Sequence, residues 1–171
     1  MKKVLIIHGW GGSDLPHWQA KLAQELALEN YIVAFPSLPN KDMPVFKEWK
    51  KAITQIHNTL KPDIVVCHSI GCIAYLRIKK RSEKLFLVAP PNPWKPIEEL
   101  KSFYPVKKFA SMSKECFLIT SDNDKYLSND EAKKLSLLLD SKHTILHDAG
   151  HINALSGFGN CDFIKEKLET H

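Results

Sequence analysis

Three side chains far apart in the 171-residue chain could together activate an alcohol: Ser69, one of two aspartates near position 124, and His151. A serine hydroxyl is a weak nucleophile. It attacks a carbonyl only when a base takes its proton, and the base needs an acid to hold it in the right tautomer. Ser69 lies in Asp63-Ile64-Val65-Val66-Cys67-His68-Ser69-Ile70-Gly71, an apolar run that enters a small-residue turn and then a helix pattern. This is nearly G-x-S-x-G, with Cys67 in the place of the first glycine. Such a turn folds back on its own strand, so its flanking residues must be small, and it holds the serine in a strained, exposed position. Taken alone the pentapeptide says little, because a serine before a helix also serves as a cap.

The partners follow in the chain order Ser, Asp, His, one of the known orders of such triads. Asp122 and Asp124 both stand just after the apolar run ending near Thr120. Asp122 has an alternative use as a turn-forming aspartate. His151 sits in Asp148-Ala149-Gly150-His151-Ile152-Asn153, past the last apolar run, with Gly150 to turn the chain. His143 and His147 are weaker candidates, since they read as part of that run. His68 adjoins Ser69 but should point to the opposite side and serve packing. The tetrahedral intermediate of acyl transfer carries an oxyanion that needs donors. The backbone N–H of Trp10, in His8-Gly9-Trp10-Gly11-Gly12, and that of Ile70 are the natural pair. The same glycine loop lacks G-x-G-x-x-G and a G-K-[ST] ending, which argues against phosphate binding.

These residues need a scaffold that brings distant loops to one edge. Six short runs rich in Val, Ile and Leu read as strands buried on both faces: Lys3 to Ile7, Tyr31 to Phe35, Asp63 to Cys67, Lys84 to Val88, Cys116 to Thr120 and His143 to Leu146. Between them lie helix patterns after Pro16, after Pro44, just after Ser69, from about Asn129 to Leu139, and from about Asp162 to Leu168. Strand–helix alternation predicts a doubly wound, mostly parallel sheet of about six strands with helices on both faces. Functional groups should collect at the carboxyl ends of its strands. The proline-rich stretch Ala89 to Ser113 is the least regular. It can line or cover a pocket but is too short for a separate lid domain.

The length fits one domain, residues 1–171. The apolar run Val4 to Ile7 is too short for a signal core or a membrane span, so a cytoplasmic protein without membrane attachment is expected. The net charge is +5, yet the basic residues are scattered. The densest group, Arg77, Lys79, Lys80, Arg81 and Lys84, falls where a helix should end and reads as a solvated helix end. With no nucleic-acid motif beside it, no nucleic-acid partner is expected. Four cysteines, Cys67, Cys72, Cys116 and Cys161, form no C-x-x-C pair and no disulfide framework. Cys67, His68 and Cys72 match no usual zinc spacing, so no metal is expected.

The motifs together resemble the small serine hydrolases related to retinoblastoma-binding protein 9 and the bacterial YdeN-like proteins. The resemblance runs through His8-Gly9-Trp10-Gly11-Gly12-Ser13 with His17-Trp18, then Pro36-Ser37-Leu38-Pro39-Asn40 with Trp49. It continues through His68-Ser69-Ile70-Gly71 and Ser121 to Asp124, and ends in Gly150-His151-Ile152-Asn153-Ala154 with Ser156-Gly157-Phe158-Gly159. It implies a minimal α/β-hydrolase fold without a large cap, and a triad of Ser69, Asp124 and His151. The acid loop of such hydrolases usually reads D-x-x-V-P, and Asp124-Lys125-Tyr126-Leu127-Ser128 fits with Ser128 in the proline place. Two departures stand out: Cys67 replaces a glycine, and Asn123 replaces a first aspartate, which favours Asp124. The expected activity is hydrolysis of a small ester or amide through an acyl-enzyme, with no cofactor. Trp94 and Phe103 are candidate pocket residues. The rival readings are a peptidase with the same triad and a binding protein that keeps the fold without useful turnover. Trp94, Phe103 and Tyr104 would supply the interface of the latter.

Overall fold

The computed structural model describes residues 1–109 and 112–169. The apolar runs become six strands: β1 Lys3–Ile7, β2 Ile32–Ala34, β3 Ile64–His68, β4 Ser82–Val88, β5 Ser113–Ser121 and β6 Lys142–Leu146. All neighbours pair in parallel, in the order β2-β1-β3-β4-β5-β6. The helices between them are α1 Trp18–Leu28, α2 Phe46–Leu60, α3 Ile70–Ile78, α4 Asn129–Leu139 and α5 Asp162–Glu169.

Side chains alternate between two cores with the period of two that strand geometry imposes. Leu5, Ile7, Val65, Cys67, Leu85 and Leu87 pack on the side covered by α2, α3 and α4. Val4, Ile6, Ile64, Val66, Phe86 and Val88 pack on the side covered by α1 and α5. Fully burying one such aliphatic side chain contributes about 1.5–3 kcal/mol, so the central strands β1, β3 and β4 form the most firmly anchored part of the sheet. The expectation of two-sided burial fails at β2 and β6, whose residues are partly exposed. Both are edge strands, with a neighbour on one side only.

The chain winds outward from β1 in two directions. Right-handed crossovers therefore put α1 on one face and α2 to α4 on the other. At the point where the direction reverses, between β1 and β3, the loops diverge and leave a crevice at the carboxyl ends of the strands. Between β4 and β5 the irregular stretch contains a 3₁₀ helix, Glu98–Phe103, and no cap domain. Within that stretch, Ala110 and Ser111 lie outside the described residues. Among the described residues, no helix is long and apolar enough to cross a membrane.

Candidate active site

Ser69 stands at the crevice, between the end of β3 and the start of α3. Its φ of 53° and ψ of −128° lie in a region that non-glycine residues rarely visit. It occupies the cap position of α3 but makes no side-chain capping bond, so its hydroxyl is not spent on the helix. The glycines around it permit the close approach. A Cβ at Gly71 would lie 2.5 Å from the His8 carbonyl oxygen, and one at Gly9 would lie 2.9 Å from the Ser69 Cβ. Cys67, in the place of the usual glycine, is fully buried in the core beneath α3. Burial pushes its thiol pKa well up, so it acts as a small apolar residue.

The Ser69 hydroxyl lies 2.8 Å from His151 Nε2, and His151 Nδ1 lies 2.8 Å from Asp124 Oδ2. With the proton on Nδ1 donated to the carboxylate, Nε2 is free to accept the serine proton. The Asp124 side chain is 2% exposed and that of His151 is 14% exposed. The second oxygen of Asp124 accepts the Tyr126 N–H at 2.9 Å, and the Tyr126 ring meets His151 edge-on at 4.7 Å between centroids.

The loop that presents His151 is held by side chains whose part was not legible as catalysis. Ser121, Asp122 and Asn123 accept the N–H groups of Ala149, Asp148 and Gly150 at 3.0, 2.8 and 2.7 Å. Asp122 is thus more than a turn residue: it also grips the neighbouring loop. The gripped loop carries positive φ at Asp148, Gly150 and Ile152, a conformation that needs such outside support. His68 serves packing but does not point away from the site: its ring lies 5.3 Å from that of His151 and lines the same cavity as Ser69. Its Nε2–H donates to the His151 carbonyl at 3.0 Å, and Trp18 Nε1–H donates to the Ile152 carbonyl at 2.9 Å.

A second imidazole shapes the glycine loop. His8 Nε2 accepts the Leu38 N–H at 2.8 Å, so its Nδ1–H donates to the Gly9 carbonyl at 2.7 Å. The Gly12 N–H also reaches that carbonyl, at 3.2 Å. A carbonyl and the following N–H point in opposite directions across a planar peptide, so holding Gly9 O fixes the direction of the Trp10 N–H. Ile70 is the first residue of α3, where N–H groups lack helical acceptors. Neither the Trp10 nor the Ile70 N–H has an acceptor among the described residues. Burial lowers the pKa of His8, His17 and His68. Their rings stay neutral near neutral pH and leave room for a positive charge on His151.

Ser69 and His151 open into a cavity of about 680 Å³, within the usual range for small-molecule sites. Trp10, Ser13, His17, Tyr126 and Leu155 form part of its wall, and the proline-rich stretch contributes Pro91, Ile97 and Leu100. The two expected pocket residues do not line it. Phe103 is fully buried, in edge-on contact with Trp49 at 5.2 Å between centroids. The 3₁₀ segment is kinked at Leu100, with φ −115° and ψ 16°, and Phe103 beyond the kink folds into the core. Trp94 packs on Phe109, with Lys134 Nζ 4.3 Å from its ring centre. Tyr104 is buried too, and of the three residues envisaged as an interface Trp94 alone reaches the surface. The basic group near α3 is only partly a solvated end. Arg77 donates to the Ser102 carbonyl at 2.8 Å and covers the Phe46 ring, and Lys84 is buried.

A six-stranded parallel sheet with helices on both faces, no cap domain, and a serine on a strained strand–helix turn define an α/β-hydrolase. The chain belongs to the serine hydrolase family, whose sequence model matches residues 4–170. Its structure is similar to that of the ydeN gene product of Bacillus subtilis, with a TM-score of 0.84 and 22% identity over 98% of this chain and 97% of that one. A protein of Pectobacterium atrosepticum described as a YdeN-like hydrolase matches with a TM-score of 0.77 and 22% identity, over 98% and 89% of the two chains. Est1E of Butyrivibrio proteoclasticus, solved with ferulic acid bound, matches with a TM-score of 0.73 and 12% identity, over 99% and 90%. No curated protein matches the chain in sequence.

Proposed function

We propose that this serine hydrolase cleaves a small ester, or an amide, through an acyl-enzyme on Ser69. The unbroken line from Ser69 Oγ through the His151 ring to Asp124, at 2.8 Å on each side, carries this reading. His151 Nε2 takes the serine proton as Oγ attacks the substrate carbonyl. Asp124 keeps the ring oriented and stabilises its charged form. The N–H groups of Trp10 and Ile70 receive the oxyanion. His151 then returns its proton to the leaving group, and the same steps run with water to release the acid. Four unpaired, buried cysteines fit a reducing compartment such as the cytoplasm.

The cavity supports a small-molecule substrate rather than a macromolecular one. The test is hydrolysis of p-nitrophenyl acetate together with labelling by a fluorophosphonate probe. The native protein is expected to do both, and Ser69→Ala to do neither while melting at a similar temperature. Equal labelling and turnover by Ser69→Ala would overturn the assignment.

A further inference from the structure

The part of the cavity wall formed by Ser13, Asp14 and His17 carries polar groups that the hydrolytic steps leave unused. Ser13 is 3% exposed, and its Oγ has no hydrogen-bond partner. His17 caps α1 by accepting the Gln19 N–H on its Nδ1 at 3.1 Å. The proton of the neutral ring therefore sits on Nε2. Burial, reinforced by His151 and His8, pushes the His17 pKa down to about 4. At pH 7 the ring offers one N–H and no charge. Both residues line the cavity that holds Ser69 and His151.

Buried polar groups are nearly always paired, because an unpaired one is costly. A hydroxyl without a partner beside a reactive serine points to a ligand atom that completes it. The charge of Asp14 is paired with Lys41 at 3.0 Å; the other charged residue of the lining, Lys125, holds its Nζ 4.9 Å from the Tyr126 ring centre. The proline-rich stretch supplies apolar surface through Pro91, Ile97 and Leu100. A substrate for this cavity combines an apolar part with a neutral oxygen that accepts a hydrogen bond.

We propose that Ser13 and His17 form a specificity subsite for a neutral hydroxyl or carbonyl oxygen of the substrate, so that oxygen-bearing esters are preferred over plain alkyl esters. The proposal rests on Ser69 being the nucleophile of the same cavity. Two substrate pairs test the two sides of the scissile bond: p-nitrophenyl 3-hydroxybutyrate against p-nitrophenyl butyrate, and 2-hydroxyethyl acetate against propyl acetate. In the native enzyme the oxygen-bearing member of at least one pair is expected to show about tenfold higher kcat/KM, the size of one added hydrogen bond. Ser13→Ala should bring that ratio close to one, and Ser13→Thr should restore most of it. The melting temperature of ligand-free Ser13→Ala should not fall, because the hydroxyl it removes is unpaired. Equal kcat/KM within both pairs, or a ratio unchanged by Ser13→Ala, overturns the subsite. Binding separates this from a failure of the nucleophile. In the Ser69→Ala background, 3-hydroxybutyramide should bind more tightly than butyramide, and adding Ser13→Ala should abolish the difference. Equal binding within this pair, together with equal binding of 2-hydroxyethyl acetate and propyl acetate in the same background, overturns the subsite even if no ester is turned over.

Discussion

The loops after β5 and β6 are joined by two aspartate–histidine pairs. Asp122 meets His147 at 2.6 Å, and Asp124 meets His151 at 2.8 Å. Distance does not rank them, and both follow the order Asp then His. Their surroundings do. The His147 side chain is 87% exposed and that of Asp122 is 30% exposed, against 14% and 2% for the inner pair. Only the inner imidazole has a hydroxyl on its far nitrogen. The outer carboxylate spends its oxygens on the Asp148 N–H and on His147, and these bonds lower its pKa. One pair is a strut, and the other, on the proposed mechanism, moves a proton. Burial and the third partner separate them, not the residue types.

The largest effect that can break this comparison is on turnover. Asp124→Asn keeps the shape but favours the wrong histidine tautomer, and a loss of kcat of about 10⁴-fold is expected. Asp122→Asn should keep kcat within about threefold, since the Ala149 and Gly150 N–H groups remain held by Ser121 and Asn123. Steady-state kinetics on p-nitrophenyl acetate reads both. A larger loss from Asp122→Asn than from Asp124→Asn would exchange the two roles.

That ambiguity marks the limit of what could be read before the structure. The run Asp63 to Gly71 is locally complete: strand, small residues and helix follow one another, so the elbow is legible. The six-strand alternation is legible for the same reason. The choice between Asp122 and Asp124 was open from spacing and closed only by resemblance, because two residues of loop change which side chain turns inward. The grip of Ser121, Asp122 and Asn123 on the His151 loop spans at least 26 positions of chain, and no local pattern encodes it. Phe103 and Trp94 failed as pocket residues because an irregular stretch has no period to say which face is inside.

The next effect sharpens the contrast through pH. His8, His17 and His68 are buried with pKa values below the ordinary one, His17 at about 4. For a histidine with a depressed folded pKa, the unfolded state binds more protons, so stability is full above about pH 6.5 and is lost as pH falls. His17 alone accounts for about 3 kcal/mol between pH 6.5 and 4 on this reasoning. His147 has the opposite sign. Its pKa is raised by the hydrogen bond to Asp122, so its contribution is present below pH 6.5 and fades as pH rises through its folded pKa. Solvent screens that exposed pair, and the buried set dominates. Urea midpoints measured from pH 7.5 to 4.5 should fall steadily on acidification. His17→Gln should flatten that slope, and His147→Gln should leave it in place. A slope unaffected by His17→Gln would contradict the buried, neutral assignment.

The smallest effect concerns the outer pair itself. His147→Ala removes one arm of Asp122 but not its bond to the Asp148 N–H, which is the first cause of the lowered Asp122 pKa. The His151 loop also keeps its bonds to Ser121, Asn123, His68 and Trp18. An exposed ion pair adds little to stability and weakens with salt. The melting temperature should therefore shift by no more than about 2 °C, and kcat should stay within about twofold. The shift should shrink further when salt is raised from 20 mM to 500 mM, roughly a fivefold shortening of the screening length. A shift that persists in high salt would mean that His147 holds the loop through something other than charge. A fall in kcat would mean that the strut and the proton carrier are coupled, and that the two pairs work as one unit.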